Sequence, residues 1–215
     1  MNLHMKYALL GLSMIGAVGA AQATTLVPLV PTTSVDIVGD YFGGTLLDSI
    51  VTPINNPVYN GIARAAVYQT ASGLDFYYQY SNSATSINGV ERFAAFDFSA
   101  LGSSAISVYQ TGAAFGIFTK GTETADYADR TLLGVVGFSF VPNTASKINP
   151  GTTSFTQIIR TSATSYKPGN FGLIDGFGDN AHAFAPVPEP ETYALLLAGL
   201  GVMGAIARRR KARRE

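Results

Sequence analysis

The sequence predicts a mainly β protein: an antiparallel β-sandwich or jelly-roll-like body, flanked by an N-terminal signal helix and a C-terminal transmembrane helix. Three observations carry this prediction. Apolar and polar residues alternate with period 2 through the middle of the 215-residue chain, as half-buried strands require. Turn-forming pairs recur between these runs at short spacing. An apolar stretch stands near each end, with basic residues on its terminal side. The chain divides accordingly into a signal peptide at 1–23, a β-rich domain at 24–185, and a Pro-rich linker with a tail at 186–215.

The N-terminal segment has the three parts of a secretory signal. Lys6 supplies the positive start, residues 7–18 the apolar centre, and Ala21-Gln22-Ala23 the small-x-small pattern of a cleavage site. Cleavage is expected after Ala23, with Ala21 and Ala23 as the small residues read by the peptidase. The segment is too short and too rich in glycine for a permanent span. Its expected partner is the general secretion machinery.

Within the body, residues 74–80 (Leu-Asp-Phe-Tyr-Tyr-Gln-Tyr) alternate well. Leu74, Phe76, Tyr78 and Tyr80 share one face and Asp75, Tyr77 and Gln79 the other. Residues 65–70 are expected to pair with them through a three-residue hairpin loop, Ala71-Ser72-Gly73. Residues 93–98 read as a strand with a phase slip at Ala94-Ala95 that suits a bulge. Residues 132–141 are apolar on both faces, as in a central strand. Further strands are expected at 106–109, 114–119 and 155–161. The stretch 36–51 holds either a short helix at 46–51 or an edge strand. No fixed-period repeat is visible, so a solenoid is not expected. Nor is there a ladder of Thr-x-Thr rows to build a flat ice-binding face.

The C-terminal tail combines a rigid hinge, an apolar span and a basic stop. Residues 193–207 are fifteen uncharged positions, about 22 Å of helix against a hydrocarbon core of about 30 Å. The flanks extend this to a transmembrane segment at 192–207. Pro190 suits a first helical turn, Glu189 and Glu191 the positive end of the helix dipole, and the arginines its negative end. Arg208, Arg209, Arg210 and Lys211 form the membrane stop and fix the end 208–215 in the cytoplasm. Lys6 independently places the N-terminus on the same side, so everything between is exported. Pro186, Pro188 and Pro190 alternate, which favours an extended strand that stays available at the membrane surface.

Val-Pro-Glu-Pro at 187–190, then a short Leu/Ala/Gly-rich helix, then Ala-Arg-Arg-Arg at 207–210, resembles the PEP-CTERM sorting signal. The resemblance covers about 25 residues at the extreme C-terminus. It implies a Gram-negative export system in which an exosortase, a multi-pass membrane protease, recognises Pro188, Glu189 and Pro190 and removes the tail. The protein would pause in the inner membrane and then reach the cell surface or extracellular matrix. The setting implied is exopolysaccharide and biofilm matrix, with exopolysaccharide as a partner.

Charge and motif content narrow the function classes. The formal net charge is +0, yet six of the fourteen basic residues lie in the last eight positions. Residues 24–190 hold seven basic and twelve acidic residues, a balance of about −5, which argues against nucleic acid as a partner. With no cysteine, disulfide, thiol and Cys-metal chemistry are excluded. After signal cleavage His182 is the remaining histidine. No Gly-x-Ser-x-Gly elbow, His-Glu-x-x-His or phosphate-binding glycine loop accompanies it. Two acidic clusters are candidates for calcium, Glu123, Asp126 and Asp129 in one loop and Asp175 and Asp179 flanking Gly176-Phe177-Gly178, though neither has EF-hand spacing. No other cofactor is expected. The reading is a non-enzymatic exported protein of the cell surface or matrix. The alternatives are a secreted polysaccharide hydrolase, which needs two carboxylates at catalytic separation, and a permanently anchored binding module.

Overall fold

The computed structural model describes residues 24–32, 34–40, 43–102, 106–141, 147–187 and 197–203. The signal peptide with Ala21 and Ala23, the tripeptide Pro188-Glu189-Pro190, and the basic run Arg208, Arg209, Arg210 and Lys211 lie outside the described residues. Of the segment read as transmembrane, a helical stretch at 197–203 is described, with Leu197, Leu200, Val202 and Met203 exposed. Among the described residues no helix is long and apolar enough to cross a membrane.

Two sheets share one apolar core. The larger contains β1 (Thr24–Leu26), β2 (Asp36–Ile37), β3 (Thr45–Asn55), β4 (Asn60–Thr70), β5 (Gly73–Asn82), β7 (Ile106–Thr111) and β10 (Thr156–Arg160). Its order is β1-β7-β10-β5-β4-β3, with β2 added in parallel to β7. The smaller runs β12 (Phe177–Pro186), β11 (Tyr166–Asp175), β6 (Arg92–Ala95), β9 (Val136–Ser139), β8 (Tyr127–Arg130). All pairings other than β2 with β7 are antiparallel. Inward residues of both sheets, among them Ala65, Phe76, Tyr78, Phe93, Phe138 and Phe171, form a single buried cluster. Edge-on ring pairs such as Phe93 with Phe171, 5.6 Å between centroids, fill its centre in the geometry that aromatic quadrupoles favour.

The alternation in β5 places residues as the sequence predicts, with Leu74, Phe76, Tyr78 and Tyr80 in the shared core. Its other face is equally buried, because residues 112–119 fold over it. Phe115 and Phe118 pack on Tyr77. The Gln79 amide bonds both ways with Thr119, donating to its carbonyl at 2.7 Å and accepting from its N–H at 3.0 Å. The strand expected at 114–119 is therefore a flap, turned between Phe115 and Phe118 with Gly116 at φ 53°.

Other expectations are corrected by turn chemistry. The β4–β5 loop has two residues, since Gly73 pairs with Thr70 inside the sheet. Gly73 has φ 138°, and a Cβ there would meet the Thr161 carbonyl oxygen. β6 shows continuous register against β9 and β11, so no bulge sits at Ala94-Ala95. The bulge lies between Leu46 and Asp48 in β3, which, with Pro53, blunts an edge strand. That settles the stretch 36–51 as strand at its C-terminal end. The strand expected at 132–141 shortens to β9, because Leu132 and Leu133 form an exposed turn closed by Gly134 at φ 77°.

Candidate functional site

The junction between body and tail is the place where the sequence motifs and the fold meet. β11 and β12 make a hairpin that turns at Gly176 and ends with Tyr166 opposite Pro186. Beyond it the Val187 N–H donates to the Ser165 carbonyl at 3.1 Å. The sheet thus runs through Pro186, one residue into the stretch read as linker, and Pro188 follows directly after Val187. Pro186 is tolerated because β12 is an edge strand. The end of β12 is held from inside. Ala185 is fully buried, and Phe184 meets Tyr166 edge-on at 5.7 Å. The Tyr78 hydroxyl donates to the Phe184 carbonyl at 2.9 Å. Burial pushes the Tyr78 phenol well above its usual range, which keeps it a donor.

The strand registers define what surrounds this junction. Val136, Ala95, Phe171 and Ala181 lie in one row across the smaller sheet. The β8–β9 turn, the 3-10 helix Phe98–Leu101 and the chain exit all lie beyond that row, the turn at the β8 edge of the smaller sheet and the exit at its β12 edge. Residues 27–32 cross between the sheets here, the Leu29 N–H donating to the Arg130 carbonyl at 2.8 Å. Arg130, buried, donates to the carbonyls of Phe98 and Gly102 at 3.1 and 3.0 Å, tying the 3-10 helix to β8. Residues 161–165 arrive from β10 at the same end and lead into β11.

Arg160, the last residue of β10, also stands at this end. It makes a two-point contact with Asp75 of β5, with nitrogen–oxygen distances of 2.7 to 3.1 Å, and lies 5.7 Å above the Tyr109 ring. Burial pushes the Asp75 carboxyl above its usual range, opposed by Arg160; the Asp75 carboxylate in turn raises Arg160. A cleft of about 360 Å³ opens beside Arg160 between Gly44, Thr45, Gln69 and Ser72. Sequence reading missed this pair, since Asp75 and Arg160 sit 85 positions apart in strands that meet only through the β5–β10 register.

The acidic residues singled out in the sequence are spread over several elements. Asp129 lies in β8 and is held by Arg92 at 2.6 Å. The Glu123 carbonyl accepts from the Phe155 N–H, and the Asp126 N–H donates to the Ser139 carbonyl. Asp175 closes the β11 end and receives Lys147 at 3.1 Å, the same ammonium reaching Glu91 at 2.7 Å. The Glu91 and Asp175 bonds raise the Lys147 pKa against burial. The Asp179 carboxylate accepts from the Asn56 amide at 3.4 Å. Among the described residues no group of three His, Cys, Asp or Glu side chains is placed to hold a metal. His182 lies in β12 opposite Asn170, with its side chain exposed.

The body's last strand runs directly into the Pro-rich stretch. Residues 186–211 match the PEP-CTERM protein-sorting motif, so the chain carries an exosortase-type sorting signal and is an exported protein. No curated protein and no solved structure matches the chain.

Proposed function

We propose that the protein is a non-enzymatic β-sandwich of the cell surface or extracellular matrix, held briefly in the inner membrane by its tail and cut there by an exosortase. The observation that carries this reading is the sorting motif at 186–211 beginning at the last residue of the body's final strand. The tail residues 192–207 would dwell in the bilayer, and the basic residues from Arg208 would keep the end inside. The body would then join an exopolysaccharide or biofilm matrix. A non-enzymatic role is supported by the ion pairs of three buried or half-buried carboxylates. Asp75 is matched by Arg160, Asp129 by Arg92, and Asp175 by Lys147, which leaves these carboxylates serving the fold. The test is fractionation of three strains: wild type, one with Pro188-Glu189-Pro190 replaced by alanines, and one lacking the exosortase. The last two should retain a full-length species in the inner membrane. Identical size and location in all three would make the tail an ordinary anchor.

A further inference from the structure

The end of the body from which the tail departs carries an exposed apolar patch, at the β8 edge of the smaller sheet, across from the exit strand β12. Val27, Leu29 and Val30 lie in the crossing between the sheets, and Leu132 and Leu133 in the β8–β9 turn. Leu29 and Leu133 are 68% and 83% exposed. The Leu29–Arg130 backbone bond brings the two groups together. Leu29 holds φ 67°, a left-handed conformation that bulky side chains rarely adopt,. Its neighbours spend backbone strain on presenting a leucine to the outside, a pattern that points to use. At the same end of the body Lys167 pairs with Asp97 at 3.2 Å and Arg160 with Asp75.

The tether says what faces this surface. Val187 is bonded into the body, and the apolar tail segment begins at 192. Five residues span at most about 17 Å fully extended, and about 15 Å as polyproline. The opposite end of the body is one full strand away, and the ten residues of β5 cover about 30 Å. While the tail is in the membrane, the exit end is therefore the end of the body that faces it.

We infer that the exit end of the body, built from Val27, Leu29, Val30, Leu132 and Leu133, docks on the outer leaflet of the bilayer and seats its leucines among the lipid headgroups while the tail is anchored. This rests on the membrane-held intermediate proposed above. Docking fixes the body's orientation and sets Pro188-Glu189-Pro190 at a constant height above the bilayer, where a membrane protease works. The apolar area is modest, so attachment by this end alone is weak and reversible, and cutting the tail releases the body.

The absence of cysteine allows single-site labelling. The full chain with its tail intact is reconstituted in phosphatidylcholine–phosphatidylglycerol vesicles. It carries an environment-sensitive fluorophore at Leu133→Cys, Leu29→Cys, Ile87→Cys or Val202→Cys. Ile87 is exposed and bonded to Val58 at the opposite end of the body. Expected are a blue shift and loss of emission to shallow spin-labelled lipids at positions 133 and 29, no change at 87, and loss to deep spin-labelled lipids at 202. Quenching at 202 with none at 133 and 29 overturns the docking and leaves the anchored intermediate standing. Quenching at 133 and 29 that depends on protein density and ignores the spin-labelled lipid assigns the patch to a second copy, and also overturns it. No quenching at 202 overturns both.

Discussion

Val187 donates its backbone N–H to the carbonyl of Ser165, 3.1 Å away, and so extends the β11–β12 hairpin to within one residue of the sorting tripeptide. The body leaves no slack before its signal. Phe184 and Ala185 belong to the buried interior, so the boundary between domain and tail is set by packing rather than by the first proline.

A chain ending at Val187 should keep the full stability of the body, whereas one ending at His182 should not. The shorter chain loses Ala183, Phe184 and Ala185 and the acceptor for the Tyr78 hydroxyl. Removing a buried Phe side chain alone costs about 3–5 kcal/mol. Urea unfolding of the two chains measures the difference. Equal midpoints would show that the end of β12 is not part of the cooperative unit.

The Asp75–Arg160 pair should respond asymmetrically to mutation. Asp75 is fully buried, while the Arg160 side chain is 27% exposed beside the cleft. Arg160→Met strands a buried carboxylate and should cost about 3–5 kcal/mol at neutral pH. Asp75→Asn leaves a cation that can turn to water, and should cost about 2 kcal/mol. The folded pKa of Asp75 is raised, so its contribution is present below the unfolded value and lost as pH rises through the folded one. The Arg160→Met deficit should therefore shrink as pH falls from neutrality towards the carboxylate range. Thermal unfolding against pH reads this directly.

Gly134→Ala should destabilise the body even though the turn it closes is exposed. Gly134 has φ 77°, and a Cβ would overlap the backbone of Ser99. Its carbonyl also accepts from the Phe98 N–H at 2.8 Å. Strain of this kind costs about 1–3 kcal/mol, and displacement of the 3-10 helix adds to it. A melting temperature unchanged from wild type would mean that the β8–β9 turn and the 3-10 helix are not in contact.

Alkaline titration should find some tyrosines silent until the fold is lost. Burial pushes Tyr59 up to about 12 and raises Tyr80 further. The Tyr59 hydroxyl donates to the Leu173 carbonyl at 2.7 Å. A raised folded pKa means stability that is complete below about pH 10 and lost as pH approaches 12. Tyr59→Phe should be less stable than wild type at pH 8, and the gap should close between pH 10 and 12. A constant gap across that window would show that Tyr59 ionises as freely folded as unfolded.

What was legible in the sequence follows from which signals are local. The alternation at 74–80 is local, and β5 appears with both faces assigned as read. The second face of β5 is buried by a flap whose contacts, Phe115 and Phe118 on Tyr77, are about 40 positions away, so alternation alone does not reveal it. The β11–β12 hairpin is not legible because Pro168, the glycines and Asn180 interrupt its pattern; β12 is an edge strand, and Pro168 lies in the part of β11 that pairs with β12 and not with β6,. Leu132 and Leu133 carry the apolar signature of a strand, but Gly134 at φ 77° turns the chain there. The sorting motif at 186–211 was legible because it is linear. The apolar patch was not, because its two halves are about 100 residues apart and meet through the bonds that residues 29–32 make to 128–130.

The most direct test of a body delivered by a cut tail is the intact mass of the protein recovered from outside the cell, in a strain with its exosortase. Expected is a chain that begins at Thr24 and ends at or beside Pro188-Glu189-Pro190, lacking Arg208 to Glu215. Recovery of an outer product that still ends at Glu215 would contradict it.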